Sequence, residues 1–276
     1  AAMGTAPVFT YLIAATMLGI VTCVSTFVSQ SIGRGHPEHS ASYTWQGVHF
    51  GVLAGVLSLS AWPLALPLFS AMGHTAQVAG LEADYFQVRL IGFMPLVWIW
   101  AFMTFFMAIE RPNVPMYIAI VGNLVNLVLN YMLIFGEWGA PQLGVAGAAW
   151  GTVASQWLQA GLFFCVFLTG KTKARFATRT AWPLHWKRLR ELLRIGVPNG
   201  LFFLMDIMTW AVFIGVVVGR FGDVALAANG VALAIMKLSF MPAVAVNQAI
   251  GPIVGNYLGQ GDMARAKART WTAVRL

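Results

Sequence analysis

Long apolar runs alternate with short, polar, turn-rich segments along the whole chain. Seven runs are long enough, as helices, to cross a hydrocarbon core about 30 Å thick. They cover roughly residues 8–32, 44–70, 85–109, 114–135, 144–169, 191–219 and 225–258. Between them lie "GRGHPEHS", "GHTAQVAGLEAD", "ERPNVP", "GEWGAPQ" and "GRFGD", with one longer connector, "GKTKARFATRTAWPLHWKRLR", at 170–190. No period-two alternation is sustained, so strands are not predicted. The pattern predicts an all-α polytopic transmembrane bundle.

Composition agrees: 59% of residues are hydrophobic, 9% are charged and the mean hydropathy is +0.73. A soluble domain carries about 25% charge, and so few charges could not keep its surface wet. The net charge of +8 brings nucleic-acid binding to mind, but the placement of the charges argues otherwise. Assigning alternate connectors to one side gathers Arg34, Arg111, Lys171, Lys173, Arg175, Arg179, Lys187, Arg188, Arg190, Arg194, Arg265, Lys267, Arg269 and Arg275 there. These are 14 of the 17 Lys and Arg. Arg89 and Arg220 fall on the other side, and Lys237 falls within a span. This asymmetry is the positive-inside signature. The excess charge sets topology and suits anionic membrane lipid, with no need of nucleic acid. Cys23 and Cys165 sit in apolar runs and read as small buried residues, neither zinc site nor disulfide framework. No cleavable signal peptide is expected. The chain opens at Ala1 and stops where a new helix begins, as a piece of a longer protein would.

An internal repeat is present. "SQSIGRGHPEHSASYTW" (29–45) resembles "GNYLGQGDMARAKARTW" (255–271) at a constant offset of 226 residues, matching Gly33, Gly35, Thr44 and Trp45 to Gly259, Gly261, Thr270 and Trp271. Each copy follows a long apolar span on the cytoplasmic side. Six spans separate them, so the two halves run in the same direction, as in transporters built from parallel repeats. Twelve spans are expected in all, of which this chain holds two to eight. The division expected is an N-terminal bundle over 1–170, a cytoplasmic linker over 171–190 and the start of a C-terminal bundle over 191–276.

The block "ERPNVPMYIAIVGNLVNLVLNYMLIFGEWGAPQLGVAGAAWGTVASQW" (110–157) resembles the fifth and sixth helices of the multidrug and toxic compound extrusion (MATE) family. "VSQSIGRGHPEHSA" and "VGNYLGQGDMARAKA" resemble the segments closing its helices two and eight, and "RIGVPNGLFFLMD" the opening of helix seven. The resemblance implies two six-helix bundles around a central cavity, rocking between inward- and outward-facing forms. Inward flow of Na⁺ or H⁺ would drive export of drugs, often cationic and amphipathic. It implies a small-molecule substrate and a coupling cation as partners, no organic cofactor, and a bacterial inner membrane as the location.

Nine acidic residues occur, and eight read as lying in connectors or at span ends: Glu38, Glu82, Asp84, Glu110, Glu137, Glu191, Asp223 and Asp262. Asp206 alone is near mid-span, where a charge costs roughly 2.5–3.5 kcal/mol on insertion scales. A carboxylate held there can bind a proton, Na⁺ or a cationic drug and exchange one for another. By resemblance it stands for an acidic residue of helix seven implicated in coupling or substrate binding. The competing reading is a structural ion pair with Lys237, at similar depth in the next span. A tethered ammonium there would stand in for Na⁺.

Asn123, Asn126 and Asn130, spaced i, i+3 and i+7, line one side of a helix and must face protein or water. In the family, positions matching Asn126 and Asn130 join a helix-one Asp and a helix-six Thr, here Thr152, in a cation or proton site. Asn130 stands where some members have Asp. Plain interhelical hydrogen bonding is the alternative. His36, His39, His74 and His185 read as solvated connector residues, and His49 as interfacial near a helix start. Phe203, Met205, Met208, Trp210 and Met236 are candidates for an adaptable drug-cavity wall. Pro198, Pro242 and Pro252 are candidate hinges. No P-loop, metal motif or catalytic pair is present, which disfavours ATP coupling and an intramembrane enzyme. A flippase for a lipid-linked sugar remains the other reading, although its pyrophosphate would call for several basic groups.

Overall fold

The computed structural model describes residues 6–72 and 75–275, apart from the side chains of residues 170, 171, 223, 226 and 227. Twelve α-helices occur in this part: α1 (Ala6–Thr22), α2 (Val24–Gly33), α3 (Pro37–Leu59), α4 (Ala65–Ala71), α5 (Ala76–Ile91), α6 (Phe93–Ala108), α7 (Asn113–Phe135), α8 (Gly144–Leu168), α9 (Gly170–Phe176), α10 (Trp186–Val212), α11 (Asp223–Gly259) and α12 (Met263–Arg275). Among the described residues, six segments are long and apolar enough to cross a membrane. The bent pair α5–α6 makes a seventh. The polytopic all-α architecture read from the hydropathy is therefore present.

Two boundaries need correction. The second span begins at Pro37 instead of 44, so His39 lies in α3 and His49 lies well inside it, half-buried. The third begins at Ala76 instead of 85, which puts Glu82 and Asp84 inside α5. Charges made residues 76–84 look like a connector, but Glu82 is only 2% exposed, turned into protein and away from solvent. Cys165 is also corrected: it is exposed on α8, whereas Cys23 is buried. His74 lies outside the described residues.

The α5–α6 pair bends by 44°. Pro95 has no N–H to give the carbonyl of Ile91, and its ring crowds that carbonyl, so the helix turns at Gly92. The bend lets α6 lean on α8. Phe102, Phe105, Phe106, Phe163 and Phe167 are fully buried between them. Phe102 meets Phe164 edge-on at 4.7 Å, and Phe105 meets Phe167 at 5.0 Å. In lipid such association rests on packing, because the solvent is as apolar as the side chains.

The 170–190 connector is tied down to α3. Trp45 Nε1 donates to Thr178 O at 2.8 Å, and Gln46 Nε2 to Pro183 O at 3.3 Å. The His185 backbone N–H donates to Gln46 Oε1 at 3.2 Å, and Tyr43 OH to Glu191 Oε2 at 2.7 Å. Gln46 is fully buried, so these bonds satisfy an amide that has no water to turn to.

The internal repeat takes physical form where α2 crosses α11. After α2, the N–H groups of Arg34, Gly35 and His36 bond the carbonyls of Gln30, Ile32 and Ser31. After α11, those of Gln260, Gly261 and Asp262 bond Asn256, Leu258 and Tyr257, the same pattern 226 residues on. Gly35 and Gly261 have φ of 80° and 77°, a left-handed helix cap that favours glycine. Two residues earlier, Gly33 and Gly259 lie back to back. A methyl on either would come within 2.9 Å of the other's Cα, and closer still to Asn256 O or Gln30 O. The crossing is a reciprocal small-xxx-small contact, Ser29 to Gly33 against Gly255 to Gly259, with backbones as near as helices can come.

Two outcomes follow for the full-length protein. Gly33→Ala or Gly259→Ala should each cost about 1–3 kcal/mol through overpacking, lowering the melting temperature in detergent. Gly161→Ala, where a methyl meets open space, should leave it unchanged or higher. Gln46→Leu should free the connector, read as faster limited proteolysis between residues 177 and 186 with little change elsewhere.

Candidate functional site

α10 lies along α1 because both are stripped of side chains where they meet. A methyl on Gly19 would stand 2.6 Å from Gly200 Cα, and one on Gly196 2.9 Å from Ile20 O. Asn199 bolts this contact, its Nδ2 donating to Gly19 O at 2.5 Å and Thr22 Oγ1 at 3.2 Å. Asp206 follows Asn199 by seven residues, two turns along the same flank. It sits in the middle of the apolar stretch between Arg194 and Arg220.

Asp206 is exposed on this chain, and among the described residues no ion pair or hydrogen bond engages it. Around it stand exposed Phe202 (68%), Met205 (68%), Phe203, Met208 and Trp210. Beyond them the helix loosens into a π turn at Phe213–Val217, a departure often found beside functional positions. Pro198, Pro242 and Pro252 lie within continuous helix.

Lys237 lies as far from the α10–α11 turn as Asp206 does, but the two arms diverge. α10 packs on α1 and α3, whereas α11 packs on α2, α6 and α12. Lys237 is exposed and unpaired. The ion pair that equal depth allows is thus absent among the described residues.

The asparagine stripe divides. Asn130 Nδ2 donates to Asn126 Oδ1 at 3.1 Å, and Asn126 Nδ2 to Ser155 Oγ at 3.3 Å. Ser155 Oγ then donates to Thr152 O at 2.8 Å, while the Thr152 hydroxyl bonds Ala148 O at 2.8 Å. The chain of bonds leaves Asn130 Oδ1 enclosed, with no donor, against Gly151. It is a buried, hard oxygen at the end of a polar row, the kind of atom that can take a cation or a proton-bearing group. Asn123 is exposed, outside this row.

Three further polar residues escaped the sequence reading. Ser155 and Gln156 lie three and four positions after Thr152, a spacing that could have flagged them. Arg89 was counted only among the charges opposite the crowded side, and its place beside α8 carries no sequence signal.

The MatE family model matches residues 1–132 and 202–276. The multidrug resistance protein NorM of Burkholderia vietnamiensis is 30% identical over 278 residues, covering 100% of this chain and 59% of that protein. The probable NorM of Rhizobium meliloti is 28% identical over 250 residues, covering 90% and 53% respectively. The chain thus spans just over half the length of the curated relatives it matches. A crystal structure of a MATE protein in complex with MaD3S superposes with a TM-score of 0.83 at 23% identity, covering 98% of this chain and 60% of that one. A MOP superfamily transporter from Pyrococcus furiosus, described as having a binding pocket of reversed polarity that suggests a different function, superposes at 0.82 and 23% identity, covering 98% and 59%. These likenesses concern the fold. With the family model aligned over most of its residues, this chain, an integral multi-pass membrane protein, belongs to the MatE family of multidrug and toxic compound extrusion proteins.

Proposed function

We propose that the full-length protein is a cation-coupled exporter of amphipathic, often cationic compounds, residing in a bacterial inner membrane. In this reading Asp206 is the exchangeable cation site. The observation that carries it is an unpartnered carboxylate midway along an apolar helix, ringed by methionine and aromatic side chains. Such a group is too costly to face acyl chains and too useful to be structural filler. In one form of the transporter it holds the drug's cationic centre against the Met and aromatic wall. In the other, Na⁺ or H⁺ displaces the drug, because a single carboxylate cannot neutralise two cations at once. The names of the NorM relatives support the efflux reading.

The row Asn130–Asn126–Ser155 with Thr152 is proposed as a second polar site in the N-terminal bundle, where Asn130 Oδ1 accepts the coupling cation or a proton-bearing group. Asn123 is assigned a peripheral part in it. Lys237 is not given the role of a tethered counter-ion. Its separation from Asp206 leaves the carboxylate available to a mobile cation. A flippase for a lipid-linked sugar is the second reading, favoured only by the basic groups Lys237 and Arg89 within spanning helices.

In proteoliposomes, Asp206→Asn should lose at least about tenfold of gradient-driven drug uptake or efflux, the factor set by one interaction of about 1.4 kcal/mol. Undiminished transport would remove Asp206 from the mechanism. Lys237→Ala should keep the wild-type response to Na⁺ or pH within about twofold, the size of effect expected for an unpaired exposed charge. A new ion requirement in that variant would instead restore the tethered-cation reading.

A further inference from the structure

Away from Asp206, the seam between α5 and α8 holds a second intramembrane charge. Arg89 lies on α5 one turn after Tyr85, which packs with Ala149 and Val153 of α8, and three residues before Gly92, which meets Val153 and Gln156. Its Nε and one terminal nitrogen, Nη1, are enclosed by protein and donate to none of the described residues. The cluster that fills the seam at this level is neutral: Tyr85 and Val88 on α5, with Ala149 and Val153 across on α8. Gln156 Oε1, pressed against Gly92, is enclosed and likewise without a donor. Glu82, on the same side of α5 two turns earlier, is roughly 10 Å away along the helix axis and has an interaction of its own. Asp84 is exposed on another face.

A guanidinium stays charged at any physiological pH, so it cannot escape this seam by neutralising as a lysine could. Its planar donors match a carboxylate. With one positive charge and no second basic residue in the cluster among the described residues, the seam fits a monoanion better than a dianionic phosphate. Gln156 Oε1 adds an acceptor for an N–H or O–H next to that carboxylate.

We propose that Arg89 and Gln156 form a subsite, in the part of the chain before residue 170, that receives a carboxylate of the exported compound. The inference rests on the exporter reading above. The same carboxylate could instead come from a side chain of the remainder of the full-length protein, and the test separates the two sources.

Binding of rhodamine 110, which has a free carboxylate, and of its methyl ester, rhodamine 123, is measured by fluorescence polarisation on the purified full-length protein. Melting temperature is read without dye. A substrate carboxylate predicts that Arg89→Gln weakens rhodamine 110 binding about tenfold, the loss of one charge-assisted hydrogen bond. Rhodamine 123 binding should then be unchanged, and Arg89→Lys should recover part of the loss. A protein carboxylate predicts a lower melting temperature for Arg89→Gln, with both dyes affected alike or not at all. If Arg89→Gln leaves dye binding and melting temperature at wild-type values, or raises the latter, no carboxylate meets Arg89 and the proposal is overturned. The dye-free melting arm decides even if neither dye binds. Because binding is read apart from transport, failure of the Asp206 mechanism would be seen separately.

Discussion

Inside hydrocarbon, a polar group that finds no partner costs several kcal/mol, and there is no water to reduce the cost. This constraint organises the molecule. It closes each backbone into helices, draws Gln46 and Trp45 onto the 170–190 connector, and links Asn130, Asn126 and Ser155 into a row between α7 and α8. Against that background the unsatisfied groups carry information. Asn130 Oδ1, Gln156 Oε1 and Arg89, together with Ser42 Oγ and His49 Nδ1, are enclosed groups that the described residues leave without a partner, and Asp206 is an exposed carboxylate that none of them engages. A transporter needs such capacity, because a site saturated by its own protein has nothing to exchange.

The same absence of a hydrophobic drive between helices explains why glycine decides the packing. α2 meets α11 at Gly33 and Gly259, and α1 meets α10 at Gly19, Gly196 and Gly200. Where no side chain intervenes, van der Waals contact between backbones replaces the effect that water would supply in a soluble protein. The reciprocity of the first crossing, with each glycine seated on the carbonyl three residues before the other, is what a two-fold axis along the membrane normal would produce. It joins α2 to α11 near the C-terminal ends of both helices. Asp206 and Lys237 lie well away from that join, on arms that diverge.

Much of the fold was legible because hydropathy over 20 or more residues is a strong signal and nothing competes with it. The repeat was legible too, since Gly35 and Gly261 are required by a positive φ and Gly33 and Gly259 by contact. Reading failed where a charged residue faces protein instead of solvent. Glu82, buried, and its neighbour Asp84, exposed, made the start of α5 look like a loop, because a hydropathy pattern cannot distinguish a wet surface from a polar seam. Of the asparagine stripe, only Asn126 and Asn130 turned out to share a network, since a helix face alone does not say which neighbour it meets. The clasp of Gln46 on residues 183 and 185 had no local signature at all, being set by partners some 140 positions apart. Equal depth suggested that Asp206 and Lys237 could pair. Depth is one coordinate, and the lateral divergence of α10 and α11 is invisible in sequence.

The central claim is that the Asp206 carboxylate changes its cationic companion during transport. Difference infrared spectroscopy of the full-length protein in bilayers reads carboxyl protonation directly, with Asp206→Asn as the reference. The account predicts a change in the carboxyl and carboxylate bands when a bound cationic drug is exchanged for Na⁺ or H⁺, and the absence of that change in the variant. Identical difference spectra for wild type and Asp206→Asn would contradict it.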